Sequence, residues 1–358
     1  MAKYFSKHPI IFLISFGLVV CCCLGGILTV AQVGRGLDRA RMPVEPPATE
    51  TVQVVLPTIP GASPTIEINI PTASNTAIPE NTATSLPATP SPTVEGTVPQ
   101  STNPLVVHVI DVGHGDAILV VSPEGLTALI DGGSADPGAV DYLWGQRVEG
   151  IDLMIATHPH EDHVGGLIQV LEEMPVGRVV TNGQAHTTAA YERFLDAILG
   201  SEAEYSEVQR GDTIAFGEME FSVLNPGENM GGDLNENSMV LRLVYGQTTI
   251  LFMGDAGMDA EASMMAAGLN LKADILKVGH HGSCSGTSPS FLQAVQPEVG
   301  IYTAGVDKQD GLPCAETIYV LNQREILVLG TDVNGSIIIT VTGDGYRITD
   351  AAGKVLKR

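Results

Sequence analysis

The segment Thr157-His158-Pro159-His160-Glu161-Asp162-His163-Val164-Gly165-Gly166 sets three imidazoles and an aspartate carboxylate within six positions, directly after the apolar run 151–156. Alternate residues of an extended strand share a face, so His158 and His160 point to one side while Asp162 and His163 follow one turn onward. One short loop at a strand end can thus serve two adjacent cations. Neutral imidazole and carboxylate oxygen are the ligands that zinc and similar divalent metals favour, and a catalytic site leaves one position open for water. A lone histidine near a strand end is ordinarily a core or surface residue. Here six of the nine histidines fall in this loop or in two other motifs, at 114, 158, 160, 163, 280 and 281, and that clustering points to metal.

The N-terminal third reads differently. Residues 10–33 form an apolar run without a charge, interrupted only by Ser15, Thr29 and Gln32. A bilayer core needs about 20 such residues. The run exceeds the apolar centre of a cleaved signal peptide and lacks a good small-residue cleavage site, so a retained, single-pass transmembrane anchor is expected after a short basic segment, 1–9. Lys3 and Lys7 before it are matched by Arg35, Arg39 and Arg41 after it, so flanking charge does not set the orientation. Residues 34–103, dense in Pro, Thr and Ser, read as a disordered stalk. Extended at about 3.1 Å per residue, such a stalk would reach beyond 100 Å, which suits a domain held outside the cytoplasm at the cell membrane.

Residues 104–358 carry 13 of the 18 Lys and Arg and 35 of the 41 Asp and Glu, so the negative charge lies almost wholly beyond the stalk. An acidic surface repels polyphosphates and weakens sequence-independent nucleic-acid binding, although simple solubility also accounts for the charge. Within 104–358, short apolar runs alternate with Gly-rich turns. Strands are predicted at 105–110, 117–121, 127–130, 153–156, 178–181, 219–224, 239–245, 248–253, 275–278, 299–303, 326–329 and 336–342. Helices are predicted at 138–144, 165–173, 189–199, 256–267, 288–295 and 317–324. Strands and helices mingle along one stretch, which predicts a single α/β domain with helices covering sheet faces.

The motifs Asp111-Val112-Gly113-His114-Gly115-Asp116, Asp131-Gly132-Gly133, His158 to Gly166, Asn237-Ser238, Gly254-Asp255 and His280-His281-Gly282-Ser283 occur in the order of the metallo-β-lactamase superfamily. Within it the chain resembles the ComEC-type competence-protein branch. The resemblance implies a four-layer αββα sandwich with a site for two divalent metal ions, zinc or manganese, along one edge. Carried over, His158 and His160 bind the first metal, Asp162 and His163 belong to the second, and Asp255 bridges them. One of His280 and His281 completes the second site, with His281 the first choice. Asp162, Asp255 and His281 are the candidate catalytic residues, Asp162 both as ligand and as the group orienting the attacking water. Asp111, His114, Asp131, Asn237, Ser238, Lys277 and Ser283 are candidate outer or substrate contacts; Asp116 and Asp131 serve equally well as braces of glycine turns.

Three departures qualify the resemblance. The superfamily's third histidine on the first metal is replaced by the Asn237-Ser238 element, with His186 as a weaker substitute. His114 stands where the branch has Gln. Gly311-Leu312-Pro313-Cys314 replaces a histidine-bearing loop, bringing Cys314 toward Cys284 and suggesting a disulfide between them. The activity implied is hydrolysis by metal-activated water: of a small-molecule or nucleic-acid phosphodiester first, then of a lactone, β-lactam or cell-envelope ester. A metal-bound surface module without turnover is a third reading. No specific protein partner is implied.

Overall fold

Alternation of side chains decides the layering. In β1 (Leu105–Val109) the side chains of Leu105, Val107 and Val109 are buried on one face. They join a cluster with Ile118, Val120, Ala128, Ile130, Leu241, Leu243, Ile250, Phe252, Ile301 and Ile339, residues drawn from two different sheets. The opposite faces carry their own apolar residues and need separate covers, because a period of two sends neighbours to opposite sides. The computed structural model describes residues 103–358 apart from 137, 229–230 and 308–310.

After β1 come β2 (Ala117–Val121), β3 (Thr127–Gly132), α1 (Val140–Gly145), β4 (Ile151–Ala156), α2 (Glu161–Glu173), β5 (Val176–Thr181), α3 (Ala189–Gly200) and β6 (Glu204–Glu207). Next come β7 (Thr213–Phe216), β8 (Met219–Asn225), β9 (Val240–Tyr245), β10 (Thr248–Phe252), α4 (Met258–Ala266), β11 (Ile275–Lys277), a 3₁₀ turn (Gly279–Gly282), α5 (Pro289–Val295), β12 (Val299–Tyr302), α6 (Ala315–Asn322), β13 (Leu327–Gly330) and α7 (Thr331–Asn334). The chain closes with β14 (Ile337–Thr342), β15 (Gly345–Asp350) and β16 (Val355–Lys357). One sheet has the order β16-β15-β14-β1-β2-β3-β4-β5-β6, and the other β13-β12-β11-β10-β9-β8-β7.

The outer face of the first sheet packs Leu119, Leu129, Met154 and Val179 against Leu143 of α1, Val164, Leu167 and Leu171 of α2, and Phe194 of α3. The outer face of the second packs Val240, Leu251 and Leu276 against Met264 of α4, Phe291 and Leu292 of α5, and Leu321 of α6. The result is an α/β sandwich of four layers, αββα. Strands β3 to β6 run parallel, as do β10 to β13, so each sheet gathers the C-terminal ends of several strands along one edge.

Strands β6, β7, β15 and β16 were absent from the sequence reading. β6 and β16 lie at the edges of the first sheet and β7 at an edge of the second; β6 is largely exposed, so their residues lack the apolar runs that mark central strands. Helix α2 begins four residues earlier than the 165–173 expected, so Asp162 and His163 stand in its first turn. The expected anchor at 10–33 and all but the last residue of the expected stalk at 34–103 lie outside the described residues. Among the described residues no helix is long and apolar enough to cross a membrane.

Candidate metal centre

Strand β4 ends at Ala156, and the next residues carry His158 and His160 to the sheet edge. His160 caps α2 with an extended backbone, and Glu161 and Asp162 fill the first turn, where negative charge suits the helix dipole. The pair Gly165-Gly166 is there for contact. A Cβ on Gly166 would overlap the Gly132 carbonyl oxygen, and one on Gly165 would lie 2.8 Å from the Ala135 backbone nitrogen. Only bare backbone lets the first turns of α2 rest on the end of β3 and the loop after it, which sets Asp131 of β3 beside His163.

The second sheet contributes from its own strand ends. Asp255 follows β10, and His281 follows β11 through a turn in which His280, His281 and Gly282 have φ of 48°, 54° and 80°. Left-handed backbone at two histidines costs on the order of 1–3 kcal/mol each and persists where surrounding contacts enforce it. Here the His280 backbone nitrogen donates to the Gly254 carbonyl, which ties this turn to the one bearing Asp255.

Three donor groups come together among the described residues; Asp116, Asp131 and His163 are one, and the other two are the ligand sets at the strand ends. Asp162, His163, Asp255 and His281 form one, and His158, His160 and Asp255 the other, with the donor atoms of each set within 4.8 Å of one another. In the first set, His281 Nε2 lies 3.2 Å from Asp162 Oδ2 and 3.5 Å from Asp255 Oδ1, and His163 Nε2 lies 3.3 Å from Asp255 Oδ2. Ligand bonds of about 2.0–2.2 Å in a tetrahedron place donor atoms about 3.3–3.6 Å apart, so these spacings fit a cation. His163 Nε2, Asp255 Oδ1 and His281 Nε2 are buried without a hydrogen-bond partner. Orphaned buried polar atoms are costly unless something binds them, and here three face one point. In the second set, by contrast, His158 Nε2 and His160 Nδ1 lie 2.9 Å apart and satisfy each other, with His158 Nε2 3.7 Å from Asp255 Oδ2.

Charge in the cluster is strongly coupled. Burial works against the His163 and His281 imidazolium forms, yet Asp255 and the other nearby carboxylates outweigh it and hold both pKa values well above the ordinary range. Burial also works against the Asp255 and Asp162 carboxylates, and the His163 charge with its neighbours overcomes it, holding both well below theirs. His158 is pushed well below the ordinary range, by burial first and then by His163.

The metallo-beta-lactamase superfamily profile matches residues 110–305. The chain belongs to that superfamily. Its members are generally metal-dependent hydrolases. The chain is 30% identical over 250 residues to ComE operon protein 3 of Bacillus subtilis, covering 64% of this chain and 32% of that protein. It is 28% identical over 254 residues to Recombination protein 2 of Haemophilus influenzae, covering 69% and 30%. It is 29% identical over 239 residues to Competence protein ComA of Neisseria gonorrhoeae, covering 66% and 32%. The match is to a metallo-beta-lactamase domain of ComEC type, and the chain spans about a third of the length of these relatives.

Asp131 is buried and accepts from the Thr157 backbone nitrogen at 2.8 Å and the Thr157 hydroxyl at 2.7 Å, with His163 Nδ1 at 2.8 Å. That fixes the ring so that Nε2 faces the cluster, the usual task of an outer carboxylate in a superfamily site of this kind. Ser238 Oγ accepts from the Asp255 backbone nitrogen at 3.1 Å, and the Asn237 amide donates to the Gly231 carbonyl at 2.8 Å. Lys277 is buried, not turned to substrate: its Nζ lies 2.7 Å from Asp116 Oδ2.

Asp111 accepts from Gly113 within its own turn, Ser283 pairs with Ser285, and neither joins the metal cluster. His280 is more exposed than His281, with Nε2 3.9 Å from Asp255 Oδ2 and Nδ1 3.1 Å from Ser285 Oγ, which makes His281 the ring that enters the ligand set. His186 reaches no ligand set, although its ring centroid lies 6.0 Å from that of His160. His114 Nε2, by contrast, lies 3.2 Å from Asp162 Oδ2.

Sequence reading missed the hydroxyls. Thr157 bridges to Asp131, and Thr303, directly after β12, lies between Asp116 Oδ1 and His281 Nδ1 and bonds to both. Thr157 precedes the histidine loop directly and was within reach; Thr303 has no local signal. Asp116 itself carries more than a glycine-turn brace, for it contacts Lys277, Thr303 and His281 together. Cys284 and Cys314 form a disulfide with Cα atoms 5.4 Å apart, closing the His280-His281 turn onto the start of α6.

Proposed function

We propose that this protein is a membrane-anchored metallohydrolase of phosphodiesters, acting from outside the cytoplasm. The observation that carries the metal reading is the convergence of the unpaired His163 Nε2, Asp255 Oδ1 and His281 Nε2 on one point beside the partly buried Asp162. Asp162, His163, Asp255 and His281 would hold one divalent cation, and His158 and His160 a second that shares Asp255; zinc and manganese both suit the donor set. Bound there, such a cation supplies Lewis acidity and brings the ionisation of water toward neutral pH.

The protein's own groups do the rest. Asp131 and Asp116 fix the tautomers of His163 and His281 by accepting hydrogen bonds from their Nδ1–H groups, Asp116 partly through Thr303. Ser238 anchors the Asp255 backbone. Asp162 is the partly exposed carboxylate at the rim, placed to orient water against a substrate. The phosphodiester assignment rests on the competence-type relatives and on chemistry: cations at the site offset the acidic surface where an anionic substrate must approach. The disulfide supports an oxidising, extracytoplasmic compartment, and the apolar run at 10–33 supports the membrane anchor.

The test is to express the full chain in membranes, measure bound metal, and assay bis(p-nitrophenyl) phosphate, DNA and a simple lactone with and without chelator. Phosphodiester turnover that needs metal and is lost in Asp162→Ala is expected. Lactone turnover alone overturns the substrate, and full activity in Asp162→Ala overturns the role of that carboxylate.

A further inference from the structure

Asp162 stands on the first turn of α2, its side chain 22% exposed, while the other members of its ligand set are buried. A partly solvated carboxylate on a helix surface samples several rotamers unless something holds it. Two imidazole nitrogens approach its Oδ2 at the same distance: His281 Nε2 and His114 Nε2, each at 3.2 Å. His281 Nδ1 faces Thr303 and Asp116, which leaves its Nε2 to offer a lone pair to a cation. A lone-pair nitrogen cannot also donate to Oδ2. Once a cation is held there, His114 is therefore the hydrogen-bond donor left to Asp162 among its side-chain partners.

The loop carrying His114 is fixed from both sides. Gly115 has φ of 119°, and a Cβ there would overlap the Asp162 carbonyl oxygen, so the loop backbone lies directly against the start of α2. The Asp116 backbone nitrogen donates to that same carbonyl at 3.3 Å. On the other side, Gly305 approaches the His114 backbone nitrogen, and the His114 ring lies 4.8 Å from that of His281. Both ends of Asp162 are thus gripped by one loop: its carbonyl by Asp116 and its carboxylate by His114.

We propose that His114 is a positioning residue of the metal centre, holding the Asp162 carboxylate in its ligand rotamer by donating from Nε2. The inference rests on the metal reading above and acts through Asp162, not by ligation. Outer groups of this kind typically contribute about 10–100-fold in metal affinity.

The test uses zinc and Co(II) affinities of the full chain in detergent, measured by competition with a chelating indicator. His114→Ala is expected to bind about 10–100-fold more weakly than the parent, and His114→Gln, whose amide can donate at similar reach, to recover most of that loss. In an Asp162→Ala background, His114→Ala should change affinity by less than about twofold, since the group it positions is gone. Unchanged affinity in His114→Ala overturns the proposal, as does failure of the Gln variant, or an equal loss in the Asp162→Ala background. A parent chain that binds neither metal overturns the metal reading itself, which separates the two failures.

Discussion

Lys277 offers the sharpest test of how the site is held. Its ammonium and the Asp116 carboxylate are each 2% exposed and 2.7 Å apart, so solvent screens neither. Burial pushes the Asp116 carboxyl up, and Lys277 is the first of the charges that bring it down again, followed by His281. Lys277→Met keeps the volume of the stem and removes the charge. The carboxylate is then buried against Thr303 and His281, with the His163 charge farther off, and removing one partner of such a pair typically costs about 3–5 kcal/mol. With a urea m-value of about 3 kcal/mol/M, the unfolding midpoint should fall by about 1–1.7 M, measured in chelator so that bound metal does not mask the loss. The double variant Asp116→Leu/Lys277→Met removes both charges and should be more stable than Lys277→Met alone. A shift below about 1 kcal/mol, or a double variant no better than the single, would refute the claim that this buried pair braces the centre.

The two ligand sets should separate in a metal titration: His281→Ala abolishes the tight step, whereas His158→Ala removes only a weaker one, read by chelator competition. Because nearby carboxylates raise the His163 and His281 pKa values, the cation must displace protons; affinity should therefore weaken steadily as pH falls below neutral, and a flat profile would contradict it. The sign for stability is opposite: in chelator, the raised imidazoles stabilise the fold fully below the ordinary imidazole pKa, and this is lost as pH rises through their folded values. The Cys284–Cys314 bridge spans 30 residues, so Cys314→Ser should cost about 3–4 kcal/mol in denaturant unfolding, and no loss would count against the bridge. Gly166→Ala should destabilise by about 1–3 kcal/mol through overlap with the Gly132 carbonyl, although alanine is favoured over glycine in a helix by about 1 kcal/mol; a gain in midpoint would show that α2 can shift.

Central strands and the metal loop were legible because each is a local pattern. Val107, Ile118 and Ile250 sit in short apolar runs bounded by turns, which mark buried strands, and the spacing of His158, His160, Asp162 and His163 needs only the geometry of a strand end running into a helix. The start of α2 was misplaced because His160 caps it without a side-chain hydrogen bond, so the usual cap residue is missing. Edge strands such as β6, Glu204–Glu207, carry too little apolar surface to announce themselves.

What the sequence determined by itself was the inventory: a layered α/β chain, a set of imidazoles and carboxylates at strand ends, and their order, which marks the superfamily. Tertiary structure decided the assignments within it. It chose His281 over His280 through left-handed backbone, turned Lys277 inward onto Asp116, and recruited Thr303 to His281. It also brought His114 to the same carboxylate oxygen as His281. The physical reason is separation along the chain. A strand's period of two says which face a side chain occupies, but not which partner from the other sheet waits there, and that depends on how two sheets stack and on where glycines let backbones touch.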